Sequence, residues 1–507
     1  MKLLSAEINL ASAQNVSNHP LVRVYNSDSS GLTVTRKNAG GNIIGSYNLP
    51  AGKVIYCEKD YTDTLEGGLA LKATAVGYSE MMEIIALGGG GLPEYYWYNT
   101  LAGASNIERW YGVTISPDVG GISEYVYAAG DTRSEGQGSY EALIAAYDKE
   151  GAIQWQRILG SAGNETYTGG IVVDSSGNVY AGGYQTVDFY ALFVKYNSSG
   201  TLQFQKNFYP TGYGCLAADM TTNSNNTEIY QTGYITSTQG AYLVKLTTAG
   251  AVSWARKLTG EGGGNAEGNG VTCDSSDNVI IAFHGATGGQ NQLGVAKYNS
   301  SGTIQWKRKI VTNTNTQGSN VASDSSDNVY VIGTNHTDGT MILAKWNSSG
   351  TLQWQRKIDG VNGYGGIAID SSDNIYVAGR VSSGTKLFWA KYNTSGTIQL
   401  QRTWDSSGSE DIRSMTIDDQ GSSVGVILAG FTNLGNDPGL LVKLPGDGSL
   451  TGTYGSYTYA VSSLTESANT GTESEQTGTD ASITMNISDT SYTSATSTLT
   501  STTATIS

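Results

Sequence analysis

Apolar and polar residues alternate in short runs along most of the chain, and clusters rich in Gly, Ser, Asn and Asp separate the runs. A period of two reads as half-buried strand. One such stretch, KWNSSGTLQWQRK from Lys345 to Lys357, recurs. It returns as KYNSSGTLQFQK from Lys195, KLTTAGAVSWARK from Lys245, KYNSSGTIQWKRK from Lys297 and KYNTSGTIQLQR from Lys391. Weaker copies are YDKEGAIQWQR from Tyr147 and KLPGDGSLTGTY from Lys443. Each copy is an alternating run, a polar turn ending in Gly, and a second alternating run, which predicts a β-hairpin. The turn glycines are Gly151, Gly200, Gly250, Gly302, Gly350, Gly396 and Gly448, at steps of 49, 50, 52, 48, 46 and 52 residues. Seven copies at this period predict an all-β array of four-stranded units, a seven-bladed β-propeller.

The size of side chains along each unit predicts its orientation. First strands carry small residues: GIVVD at Gly170, CLAAD at Cys215, GVTCD at Gly270, NVASD at Asn320. Such strands suit a crowded axis. Fourth strands carry Trp155, Phe204, Trp254, Trp306 and Trp354, with Leu400 as the exception. Large rings suit the outer edge, where blades diverge. Two runs compete to close the ring: EYYWYNTLAG from Glu94 and LTGTYGSYTYA from Leu450. The one that does not close it adds an edge strand or leads into the tail.

The flanks differ. Residues 1–85 hold five strand-like runs (LVRVYN, LTVTRK, NIIGSYN, GKVIYCEK, LALKATAVGYS) between turn clusters, which predicts a small antiparallel β-sandwich acting as a docking domain. Gly88 to Gly91 with Pro93 mark a linker over 86–93, or else a buried tight turn. The propeller is assigned to 94–460. Residues 461–507 are dominated by Ser and Thr and can build no core of their own. They read as a disordered tail, or as an arm that adds a strand to a neighbouring chain and joins subunits.

Composition narrows the chemistry. Charged residues are 14%, Gly numbers 67 and Tyr 32, and the net charge of −15 argues against nucleic acid and anionic lipid as partners. Cys57, Cys215 and Cys273 are too scattered for a disulfide framework. The opening MKLLSAEINLASAQN lacks the apolar core of a secretory leader, and no run is long enough to span a membrane. His19, His284 and His336 show no metal spacing, and no nucleophile elbow, P-loop or zinc-protease motif is present. No catalytic, cofactor-binding or metal-binding residue is therefore assigned.

Two repeated polar motifs need a reading. D-S-S-x-N stands at Asp174, Asp274, Asp324 and Asp370, with Asp219, Asp418 and Ser116 in the same place in other blades. A rim of carboxylates suits Ca²⁺ or a substrate, but Asp and Ser capping their own turn is the simpler reading. Trp155 with Arg157, Trp306 with Arg308 and Trp354 with Arg356 share a strand face. This aromatic and Arg stripe fits sugar or single-strand binding, and fits packing between blades better. The N-x-S/T triplets at Asn197, Asn299, Asn347 and Asn393 are read as hairpin turns.

The repeat DSSDNVYVIG followed by AKWNSSGTLQWQRK resembles the seven-bladed β-propeller repeat of bacterial surface proteins, over roughly residues 94–459. The leader, with LVRVYN and TVTRKNAGGNIIGSYNLPAGKVIYCEKDYTDTLEG, is similar to small N-terminal domains of structural proteins in tailed bacteriophages, particularly those of marine hosts. The resemblance implies a virion structural protein, a tail fibre, spike or other appendage, assembled in the host cytoplasm. Its expected partners are other virion proteins, copies of itself and a host surface glycan. It implies no catalytic residue. The rivals are a bacterial surface adhesin and a propeller that binds or degrades polysaccharide.

Overall fold

The computed structural model describes 8–9, 21–26, 30, 32–37, 43–51, 53–58, 64–66 and 71–75 in the first part of the chain. From 95 to 506 it describes all but 104–106, 117–124, 136–139, 162–163, 168–169, 238–239, 288, 383–385, 407, 421–422, 434–437, 471, 476–479, 483–484, 490–492 and 498. The chain divides into two compact units, Met1–Glu94 and Tyr95–Ser507. The linker predicted over 86–93 lies outside the described residues.

The first unit contains two antiparallel sheets. One has the order Ile8–Asn9, Leu71–Ala75, Leu21–Asn26, Val54–Glu58; the other has Ile43–Leu49, Leu32–Lys37, Thr64–Glu66. The five predicted runs are all strands, and Val34 and Leu49 are buried between turns that keep the pairing short.

The second unit is a seven-bladed β-propeller. Blade 1 takes Glu108–Ile115, Val126–Thr132, Glu141–Tyr147 and Ile153–Gly160, from axis to rim. Blade 2 splits its inner strand into Glu165–Thr166 and Ile171–Val173, then continues Val179–Gln185, Ala191–Tyr196, Leu202–Pro210. Blades 3 to 6 begin at Cys215, Ala266, Thr316 and Val361, and blade 7 at Glu410. Blade 7 supplies only three consecutive strands, ending with Gly439–Pro445. Its fourth is Tyr96–Ala102, from the start of the unit. This settles the competition for closure. The other run, Gly452–Tyr454 with Tyr457–Val461, is a hairpin added to the rim of blade 6.

The repeated hairpin is a lock between neighbouring blades. Trp306 donates its Nε1–H to Ser348 O of the next blade's turn at 3.1 Å, and Arg308 Nε donates to Gly350 O at 2.8 Å. The same pair of bonds joins Trp155 and Arg157 to the turn of Gly200, and Trp354 and Arg356 to that of Gly396. Gly350 has φ +78°, and a Cβ there would lie 2.7 Å from the Trp306 ring. The residue is thus fixed twice, by left-handed backbone and by ring contact. Trp97 and Asn99 make the equivalent bonds to Lys149 O and Gly151 O, so the lock also spans the closure. The Trp and Arg stripe is packing between blades.

The described tail strands form no unit of their own. Beyond Val461, its strands Glu466–Ala468, Thr472–Glu475, Asp480–Ser482, Met485–Asp489, Thr493–Thr496 and Thr500–Ile506 pair with blades 5, 4, 3, 2, 1 and 7 in turn. The chain therefore circles its own rim against the order in which the blades were laid down. Where a disordered tail or an arm onto a neighbouring chain is expected, the described strands lie as a belt on the chain's own blades. The outer strands offer unpaired N–H and C=O groups, and a Thr/Ser chain of high β-propensity satisfies them.

Candidate functional site

The inner strands surround an axial cavity of about 730 Å³. Its wall is not the uniformly small hub that the side chains predict. In five blades the inner strand carries one residue too many for its partner. Tyr111, Ala218, Asn269, Ser319 and Arg413 each fall at a register shift. In blade 6 three residues, Gly363 to Gly365 with Tyr364 at the centre, face Gly379 alone. Each bulge interrupts the alternation and turns its extra side chain toward the axis. All six of these residues line the cavity.

The second strand makes room for this. Opposite the bulge a Cβ on Gly130, Gly233, Gly333, Gly379 or Gly430 would lie 1.7 to 2.3 Å from an inner-strand carbonyl oxygen; Gly183 stands equally close to one at the split inner strand of blade 2, and blade 4 has Phe283 at this place. In five blades the glycine of VYVIG thus faces the bulge. Two signals, this glycine and the G-x-G of GNG and GYG on the inner strand, identify these positions. Reading the runs as unbroken pleats passes over both.

Tyr111, Tyr184, Tyr234 and Tyr364 stand half-buried around the cavity, with Glu267, Gln317 and buried His284 between them. Arg109 Nη1 donates to Tyr111 Oη at 3.4 Å. Burial, reinforced by the charge of Asp131, pushes the Tyr111 phenol up to about 12. Burial raises Tyr184, Tyr234 and Tyr364 as well, so the phenols are neutral donors at physiological pH. Burial takes His284 down to about 4 and raises Glu267. Neutral His284 meets Glu267 Oε2 at 3.6 Å and Asn269 Nδ2 at 3.1 Å, a polar contact rather than an ion pair. His336 faces Tyr364 Oη at 2.9 Å. Arg413 is exposed, pairs with Asp411 at 2.7 Å, and lies 5.9 Å from the Tyr111 ring centre.

Asp219 belongs to this wall and not to a turn. Its Oδ1 accepts from Met220 N at 2.8 Å and its Oδ2 from Val271 N at 2.9 Å. Burial outweighs these two donors and pushes the carboxyl up to about 7. The turn position in blade 3 is taken by Asn223, whose Oδ1 accepts from Thr227 N. The inner strand of blade 3 runs on past Asp219, which displaces the aspartate from the place its spacing suggests.

The true D-S-S-x-N aspartates cap their own turns. Asp324 Oδ1 accepts from Ser326 N and Asn328 N at 3.0 and 2.9 Å, and Oδ2 accepts from Tyr330 Oη at 2.8 Å. Lys297 pairs with Asp274 at 2.6 Å. Besides this capping, the loops of neighbouring blades are coupled to one another. Asp373, in left-handed backbone at φ 61°, accepts from Ser325 N and Oγ of the preceding blade at 2.9 and 2.7 Å. Asp327 and Asp419 hold Ser275 and Ser371 the same way. No group of three or more metal-ligating side chains occurs among the described residues.

This coupling sets a pH dependence. The Ser325 hydroxyl and amide hold the Asp373 carboxyl below its ordinary value. A depressed folded value gives stability that is present above the unfolded pKa of about 3.9 and lost as pH falls through the folded one. Asp373→Asn is therefore expected to melt lower than the parent at neutral pH, with the gap closing as pH falls below about 4. A gap that stays constant across that range in a melting series would show the bond is not titrating.

Residues 154–190 match the model of the beta-propeller repeat family. No curated protein is significantly similar in sequence. Among solved structures, Sqt1 from Chaetomium thermophilum is similar at 9% identity and TM-score 0.38, covering 68% of this chain and 100% of that one. The NanB sialidase from Streptococcus pneumoniae is similar at 11% identity and TM-score 0.36, covering 87% and 97%. Drosophila Semaphorin 1b is similar at 8% identity and TM-score 0.37, covering 68% and 88%. Likenesses at this level carry nothing about ligand or activity.

Proposed function

We propose that the protein is a non-enzymatic binding and architectural component of a tailed-phage particle, and that its propeller takes a host-surface glycan at the axial cavity. The observation that carries the glycan reading is the set of bulges aiming Tyr111, Asn269, Tyr364 and Arg413 into one 730 Å³ space. Concave sites with aromatic walls and a few fixed polar groups suit ligands of that size. Neutral phenols, amides and a neutral imidazole match sugar hydroxyls, which both donate and accept. The N-terminal unit, by its resemblance to phage docking domains, is proposed to attach to other virion proteins. Self-association would use exchange of the rim belt between copies.

Tyr364→Ala and Arg413→Ala are each expected to weaken binding of host surface glycan about tenfold in calorimetry. Unchanged affinity in both would remove the cavity from the reading. Mass spectrometry of purified particles tests the location. Stoichiometric presence supports the virion assignment; absence there, with presence in host envelope fractions, favours the adhesin.

One observation favours a polysaccharide-degrading alternative. Asp219, with its carboxyl near 7, and Glu267, also raised, line the same cavity. A carboxyl poised near neutrality beside a second one whose value burial raises suits general acid–base work. Release of reducing ends from host polysaccharide, abolished in Asp219→Asn, would establish that alternative.

A further inference from the structure

The propeller hides its large apolar side chains, with one concentration of exceptions. The exposed large hydrophobic residues described in the second unit are Val187, Phe189, Tyr213, Leu450 and Val461, and three of the five lie in two loops of blade 2, Val187 and Phe189 before its third strand and Tyr213 after its outer strand. They flank Tyr190 and Tyr209, whose rings stack at 3.9 Å between centres and 15° between planes. Gly214, next to Tyr213, lies against Phe189, which brings the two loops together, and from this placement we infer that the end of blade 2 is an aromatic platform for an uncharged pyranose chain.

The platform is held before any ligand arrives. Gln185 is buried, and its Oε1 accepts from Val187 N at 2.7 Å and Asp188 N at 3.1 Å. Phe189 O accepts from Cys215 N at 2.6 Å, which ties the loop to the inner strand of blade 3. Phe189 has φ 55°, a left-handed backbone that favours Gly or Asn over a bulky ring. A Phe kept exposed in that conformation points to a use for its ring. Rings fixed in advance lose little freedom on binding.

The chemistry of the patch selects among partners. Aromatic faces attract the C–H faces of sugar rings, the rims of bases and apolar protein surface alike. Binding a single-stranded nucleic acid needs a basic groove beside the rings, whereas the charged residue in this loop is Asp188, and the chain carries −15 overall. Sulfated or phosphorylated glycans are disfavoured for the same reason. A stable protein interface needs about 800 Å² on each side, more than five side chains supply. An uncharged sugar chain fits what remains. The inference needs nothing from the axial cavity, although Tyr184 of that cavity lies on the strand that leads into this turn.

The test uses the full-length protein with cellohexaose, laminarihexaose and maltohexaose, read by saturation-transfer NMR and calorimetry. At least one hexasaccharide is expected to bind, with signal on tyrosine and phenylalanine rings. Phe189→Gly with Tyr213→Ala is expected to weaken it about tenfold. Glycine relaxes the left-handed backbone, so the melting temperature should hold within about 2 °C or rise. A fall in melting temperature without loss of sugar would make the rings structural and overturn the platform. So would silence from all three sugars, or binding of a single-stranded oligothymidylate in their place. Sugar binding lost in Tyr364→Ala but untouched by the platform variants would overturn the platform and leave the cavity reading standing.

Discussion

A chain ending at Val461 is expected to melt roughly 5–10 °C below the full-length protein and to self-associate. The reason lies in what the belt covers. Without it the outer strands of blades 5, 4, 3, 2, 1 and 7 become free edges, each a template for another chain. The belt also buries Met485, Leu499 and Ile506, and each such side chain contributes about 1.5–3 kcal/mol on burial. Its ion pairs, Glu473 with Arg308 and Glu466 with Arg356, both at 3.2 Å, are partly exposed and add only tenths of a kcal/mol, on the order of surface pairs. Scanning calorimetry and light scattering of the two chains read both effects. A second variant, Met485→Ser with Leu499→Ser and Ile506→Ser, removes the apolar anchors but keeps the backbone pairing. It is expected to fall between parent and truncation in stability and to stay monodisperse longer than the truncation. Equal melting and equal dispersity for all three would mean the rim needs no cover.

The propeller was readable because repetition amplifies weak signals. A hairpin of the form NSSG followed by Trp and Arg would mean little alone, but seven copies share a left-handed glycine, and four of them carry the full lock of a ring upon that glycine and a guanidinium on its carbonyl. The belt was not readable for the opposite reason. Its strands start at 466, 472, 480, 485, 493 and 500, one per blade, yet Ser and Thr occupy both faces and few apolar residues mark the inner one. Pairing there is dictated by the edges of other strands, which the tail's own residues do not reveal. The cavity wall was missed through the pleat. A period of two assigns every side chain to a face only while the register is unbroken, and the bulges in six of the seven blades reverse the assignment at residues such as Tyr111, Asn269 and Arg413. Asp219 was misplaced because its type matched the turn, while Asn223 does the capping.

Trp97→Ala is expected to destabilise the propeller by about 3–5 kcal/mol, more than the same change at half-exposed Trp306. Trp97 is 1% exposed, bonds to Lys149 O at 2.9 Å, and stacks on Tyr147 at 6.2 Å. It also sits on the one strand that joins the two ends of the ring, so its loss weakens closure rather than a single seam. The turn that rests on it gives an independent check. Gly151 has φ +82°, and a Cβ there would come within 2.5 Å of the Trp97 ring. Gly151→Ala should therefore cost about 1–2 kcal/mol for the left-handed backbone and about 1–3 kcal/mol more for the clash. In a Trp97→Ala background the ring is gone and only the backbone part remains. Denaturant unfolding of the four chains should then show the double variant more stable than the sum of the singles by about 1–3 kcal/mol. Strict additivity would mean that the turn of blade 1 does not lean on this indole, and that the ends of the ring are held by strand pairing alone.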